Sequence, residues 1–262
     1  MMLTVSDWLR RATDATAAAD ADRCLDAAAA LAQESYEWRM ILAALTDLPA
    51  VAPQRVAGLT ERALEAARRD GDVSGFVEVA ALRADMLGDE DGARQALQAG
   101  VETLLRRDSQ TNRWTVLAAQ GIRAHLWAVL AEGFLDTLGD VTAARRCLDA
   151  GREDARRRRD PADLVNIAGP LDQFGDRPAA LAVVAEAEEL LAAAPHTEPY
   201  DEASAAWSVA NAWHELGEHA AAQRLLSEAT QRSRTTEAAL CLAQAWHSHG
   251  DDRGTDRAGP RR

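Results

Sequence analysis

Apolar residues recur along this chain at helical spacing, and five times the run stops at a glycine and restarts after it. The words are Leu87-Gly88-Asp89, Leu138-Gly139-Asp140, Phe174-Gly175-Asp176, Leu216-Gly217-Glu218 and His249-Gly250-Asp251. Five residues after the first four glycines stand Ala93, Ala144, Ala180 and Ala222; nine after stand Leu97, Leu148, Val184 and Leu226; twelve after stand Gly100, Gly151, Ala187 and Ala229. A helix that ends at each glycine and a second that opens just beyond it account for this spacing. Repeated at these intervals, the pattern predicts an array of helical hairpins.

The predicted pairs are 4–17 with 21–34, 36–48 with 54–69, 73–87 with 90–107, 162–174 with 178–194, and 202–216 with 219–232. Pro49 and Pro53 bracket one connection, where a helix cannot continue, and Pro178 suits a first helical turn. Arg23-Cys24-Leu25-Asp26-Ala27 returns verbatim as Arg146-Cys147-Leu148-Asp149-Ala150, which carries the repeat back to the start of the chain. Gly88 and Gly139 stand farther apart than the later turn glycines, and the surplus at 108–125 keeps a helical period through Trp114, Leu117, Ala118 and Ile122. It is read as an insertion inside the array, leading into a helix that ends at Leu138. A terminal helix, 236–249, has no partner, and 251–262, dominated by Asp, Arg, Gly and Pro, is expected to be a disordered tail. A single domain over 1–250 is the expected organisation.

The unit Ala210, Trp213, Gly217, Ala222, Leu226 and Ala229 resembles the tetratricopeptide repeat, a helix-turn-helix with small residues where helices cross and a Gly at the turn. Ala81, Ala168 and Ala243 repeat the small position; Leu135, Leu171 and Trp246 repeat the large one, while Ala84 and Glu132 depart from the pattern and no Pro closes the units. The resemblance covers about 75–249 and implies an all-α fold, a right-handed α-solenoid of roughly seven TPR-like hairpins. It also implies a concave wall for binding an extended peptide. The family's clamp for a terminal carboxylate uses Lys, Arg and Asn; Asn211 matches its Asn, but Trp207 occupies a Lys position, so that mode is not expected.

Composition narrows the partners. The net charge is −13, which argues against nucleic acid and anionic membranes and for a basic or neutral protein or peptide. All 29 residues of the Lys+Arg class are Arg. No apolar run is long enough to span a bilayer, and charges at Asp7, Arg10, Arg11 and Asp14 break up any secretory signal, so a cytoplasmic protein is expected. Cys24, Cys147 and Cys241 are widely spaced in helical patterns and read as free thiols.

His214-Glu215-Leu216-Gly217-Glu218-His219 superficially suggests a zinc-protease helix, but Glu218 stands where the second His must be, and Gly217 is a turn. No phosphate loop, nucleophile elbow or Cys-x-x-Cys occurs, so neither a catalytic residue nor a cofactor or metal site is assigned, and enzymatic activity is not the leading expectation. What remains is a polar column three residues before each turn glycine: Asp85, Asp136, Asp172, His214 and His247, joined by Asn211 and Gln244 six before. At 100° per residue it lies to one side of a core stripe expected four, eight and eleven before the glycine. Anions near helix C-termini oppose the macrodipole, so a repeated Asp there calls for a reason. These seven residues are the candidate partner-binding groove of a non-catalytic interaction module. A basic run at Arg152 and Arg156 to Arg159 is either a solvated helix end or a site for an anion or acidic partner. The alternative is an enzyme or small-molecule sensor with a Trp/His/Asp-lined pocket drawing on Trp114, Trp127, Trp207, Trp213 and Trp246; an inhibitor of another protein is a third reading, and self-association stays open.

Overall fold

In a computed structural model all regular structure is helical, with no strand among the described residues, which are 3–15, 18–48, 51–107, 123–193, 198–233 and 235–256. The helices are α1 (Val5–Thr13), α2 (Ala18–Leu31), α3 (Ser35–Asp47), α4 (Pro53–Asp70), α5 (Val73–Leu87), α6 (Glu90–Arg107), α7 (Arg123–Leu138) and α8 (Val141–Arg158). After them come α9 (Pro161–Val165), α10 (Ala168–Gln173), α11 (Arg177–Ala193), α12 (Pro199–Glu215), α13 (His219–Arg232) and α14 (Thr236–Asp256). The described residues of Met1–Thr115 and Val129–Cys147 form one compact unit, and those of Val116–Ala128 and Leu148–Arg262 form a second.

In the first unit α1 packs on α2, α3 on α4, and α5 on both α4 and α6, while α1, α3 and α5 also touch in succession. Local chemistry starts and stops these helices. Thr4 and Asp7 form a reciprocal capping box at α1, and Pro53 opens α4 where its missing N–H has no helical partner to lose. The core contains Leu25, Ile41, Leu42, Leu45, Phe76, Leu97, Leu104 and Leu130, all fully buried. A Cβ on Gly100 would come within 2.7 Å of Leu130, so this small residue lets α6 lie close to its neighbours. Cys147 is buried, and that burial pushes its thiol up to about 12, the behaviour of an inert core residue.

In the second unit α12 packs on α13 and α14, and α11 packs on α9, α10 and α12. Gly151 holds the position equivalent to Gly100: a Cβ there would meet Trp127 and Ile167 at 2.8 Å. Leu148, Leu164, Ile167 and Leu226 are the large fully buried side chains. No helix among the described residues is long and apolar enough to cross a membrane.

Four of the five glycine words end helices in the left-handed conformation, with φ from 62 to 76° at Gly88, Gly139, Gly175 and Gly217. The fifth does not: α14 runs through Gly250 to Asp256. The expected tail at 251–262 therefore begins as helix, and 257–262 lie outside the described residues. Most of the expected insertion, 108–122 with Trp114, also lies outside them; Arg123 to His125 open α7.

Two further sequence expectations need correction. The segment 162–174, expected as one helix, is two: α9 and α10 are separated by a turn at Asn166 and Ile167. Pro170 is the cause, because it has no N–H for the Asn166 carbonyl and its ring crowds that carbonyl. The chain tightens instead, with the N–H groups of Asn166 and Ile167 bonding to the carbonyls of Asp163 and Leu164, three residues back. The second correction concerns the buried stripe, expected four, eight and eleven residues before each glycine. Residues five before (Arg83, Phe134, Pro170, Ala212, Ala245) and eight before (Ala80, Ala131, Ile167, Val209, Leu242) are buried in every unit. Twelve before, Phe76, Trp127, Asp163 and Ala238 are buried too. At 100° per residue, the column three before the glycine then lies opposite the stripe and not beside it.

Candidate functional site

The break at Pro170 leaves space. A cavity of about 190 Å³ opens in the second unit, bounded by Val165, Ala168 and Gly169 at the break and by Ala212 and Leu216 at the end of α12. Its polar groups are Asp172, Gln173 and Glu215. A Cβ on Gly169 would touch nothing within 4 Å, so the backbone itself borders the open volume.

The carboxylates are held in place. Asp172 is 34% exposed at its side chain and receives Arg177 Nη1 at 3.3 Å, while the same guanidinium donates through Nη2 to the Leu216 carbonyl at the end of α12. Arg177 thereby ties the start of α11 to both sides of the cavity. Asn211 Nδ2 donates to Glu215 Oε1 at 2.7 Å, one helical turn away. The site is thus a small recess lined by two acids, an amide and apolar side chains.

The structure distributes the sequence-derived candidates unevenly. Asp172 lines the cavity; Asn211 reaches it through Glu215. His214 is half-buried and its ring meets His219, with Nδ1 atoms 3.0 Å apart. Asp85 and Asp136 are exposed near the C-terminal ends of α5 and α7, and Gln244 and His247 are exposed on α14. Gln173 and Glu215 escape the sequence-derived set. Both stand two residues before their glycines, so the column adjacent to the chosen one holds the signal.

The tryptophans serve packing and anchoring. Trp127 is 3% exposed; Trp213 Nε1 donates to Glu188 at 2.9 Å, joining α12 to α11; Trp246 Nε1 donates to Thr230 at 3.3 Å. None of these three lines the cavity.

Of the basic run, Arg152 and Arg156 to Arg158 pair with carboxylates of this chain. Arg152 and Arg156 converge on Glu186 of α11, Arg152 Nη2 at 2.7 Å, and these bonds, that to Arg156 foremost, hold the Glu186 carboxyl below its ordinary range. Arg158 pairs with Asp163 and Asp154, and Asp154 also receives Arg123 at 2.7 Å. Asp163 is fully buried and accepts the Ala124 N–H at 3.0 Å; burial pushes its carboxyl up, against the opposing pull of Arg158. The run is an interhelical clamp more than an open anion site. No group of three or more His, Cys, Asp or Glu able to hold a metal occurs among the described residues. Compared with protein-family models, curated proteins and solved structures, the chain matches none.

Proposed function

We propose that this chain is a non-catalytic interaction module, a tetratricopeptide-like solenoid of helical hairpins, whose second unit seats a basic side chain of an extended partner segment in the Asp172/Glu215 recess. The observation that carries this reading is the acid-lined cavity at the Pro170 break. About 190 Å³ is smaller than the roughly 300–1,000 Å³ of typical small-molecule sites, and suits one side-chain head group. Its two carboxylates suit a guanidinium or ammonium, and its apolar lining residues suit the methylene stem of the same residue. The net charge of −13 favours encounter with a basic partner. The repeat reading draws support from the four left-handed glycine turns and from the packing of α1, α3 and α5 in succession. A protein that works inside the cytoplasm fits its free thiols.

The small-molecule sensor alternative loses ground because no described tryptophan lines the recess. The direct test is fluorescence anisotropy with a labelled panel of extended peptides carrying a single Arg or Lys, against matched Gln peptides. Gly169→Leu fills the volume from a position where a side chain meets open space, and should weaken binding of the basic peptides by about tenfold or more, as should Asp172→Asn with Glu215→Gln. Equal binding of Arg and Gln peptides, or binding indifferent to Gly169→Leu, would sink the proposal.

A further inference from the structure

The turn that ends α12 and begins α13 brings two imidazoles together. His214 lies in the last turn of α12 and His219 is the first residue of α13; their Nδ1 atoms are 3.0 Å apart, their ring centroids 4.5 Å, and their planes tilt by 55°. The backbone between them is fixed at every step. Gly217 is left-handed at φ 76°, its N–H bonds to the His214 carbonyl at 2.8 Å, and the Glu218 N–H bonds to the Trp213 carbonyl at 2.8 Å. Arg177 reaches in from α11 to hold the Leu216 carbonyl. The two rings therefore start from anchored Cα positions, which is the preorganisation that a chelate needs.

As it stands, the contact requires one Nδ1 to carry a proton and the other to accept it. Neutral imidazole nitrogen is also a good ligand for borderline divalent ions. With metal–nitrogen bonds of about 2.1 Å, nitrogens at this separation subtend roughly 90° at an ion, the cis angle of square-planar and octahedral coordination. A tetrahedral ion would want them about 3.4 Å apart. His219 is exposed, which leaves the other coordination positions to water. Glu215 and Glu218 adjoin the pair in sequence and add negative charge to the neighbourhood, while the nearby cation, Arg177, is engaged with Asp172 and the Leu216 carbonyl.

We propose that His214 and His219 form a two-histidine site for a divalent ion with tetragonal preference, Cu²⁺ or Ni²⁺, which takes the place of the shared proton and staples α12 to α13. The site is independent of the peptide reading, since neither ring lines the cavity.

The test is a calorimetric titration of untagged full-length protein with NiCl₂, and separately with CuCl₂, at about pH 7.5, where imidazole is mostly neutral. NMR of the histidine ring protons is followed alongside. One ion should bind and perturb the ring signals of His214 and His219 before those of the other histidines. His219→Ala and His214→Ala should each weaken binding by about tenfold or more, and the double variant should be no weaker than either single one, because a chelate is lost with its first ligand. His219 is exposed, so His219→Ala keeps the test decisive even if His214→Ala folds poorly. Affinity unchanged in His219→Ala, or ring signals of the pair unmoved by either ion, would overturn the site.

Discussion

Helix α5 in the first unit and the α9–α10 segment in the second occupy the same place in the sequence pattern, ahead of Gly88 and Gly175, yet one is continuous and the other broken. Five residues before the glycine, α5 has Arg83 and the broken segment has Pro170. Twelve before, α5 buries Phe76 and the broken segment buries Asp163. The continuous helix fills its surroundings with an aromatic ring. The broken one substitutes an ion pair for the ring, loses a backbone hydrogen bond, and borders an acid-lined cavity. A proline and a buried ion pair, and not an added loop, set the broken segment apart from the continuous helix.

Phe76→Ala should have the largest effect of any single change to this comparison. The ring is fully buried against Gly100, and its loss should cost about 3–5 kcal/mol in denaturant unfolding. Next comes Asp163→Ala at the equivalent position. It takes a buried carboxylate from Arg158 and the acceptor from the Ala124 N–H, and a loss of about 3 kcal/mol is expected by the same measurement. A much smaller loss would mean that the broken segment is loosely held, and the contrast with α5 would become one of order as well as shape. Pro170→Ala attacks the difference itself. Restoring an N–H should let α9 and α10 join, gain roughly 1 kcal/mol, and protect the new amide at position 170 from hydrogen exchange while the cavity shrinks. Rapid exchange of that amide would show that the break has another cause.

The smallest expected effect is in acid, where two carboxylates of the second unit act in opposite directions. Glu186 has a folded pKa below its ordinary value of 4.5, so its contribution is present above that pH and lost as pH falls through the lowered folded value. Asp163 is raised above 3.8, so the folded state takes up its proton first, and stability is gained as pH falls through the raised value toward 3.8. Glu186→Gln should flatten the loss of stability on the acid side, and Asp163→Asn should remove the compensating gain. Thermal unfolding followed across the range below about pH 5 would check both.

The helices are legible in the sequence because their signals are local. The turn glycines, the alanines five residues after them and the apolar residues nine after give the hairpins, and Ala93, Ala144, Ala180 and Ala222 are all fully buried. The break is written in the sequence as well, at Pro170, but 3.6-residue periodicity continues across it and masks the stop. The buried stripe falls about one residue away from its expected place because Ala occurs on both the inner and outer faces, which blurs the apolar arc. That small rotation has a large consequence for the site: it selects Asp172 and His214 but passes over Gln173 and Glu215 beside them. The His214–His219 contact is legible only as a turn. Reading Gly217 as a helix end correctly separates the two histidines onto different helices, yet a left-handed turn also folds those helices back on each other.

The recess lies beside a helix interruption made by a missing amide hydrogen, and a glycine forms part of its wall. Asp172, Gln173 and Glu215 border that space, and Asp172 also holds the Arg177 guanidinium that reaches the Leu216 carbonyl. In the function proposed above, such a recess would separate where binding happens from what is bound. Its preference would then be set by residues such as Gln173 and Glu215, at positions separate from the proline that interrupts the helix.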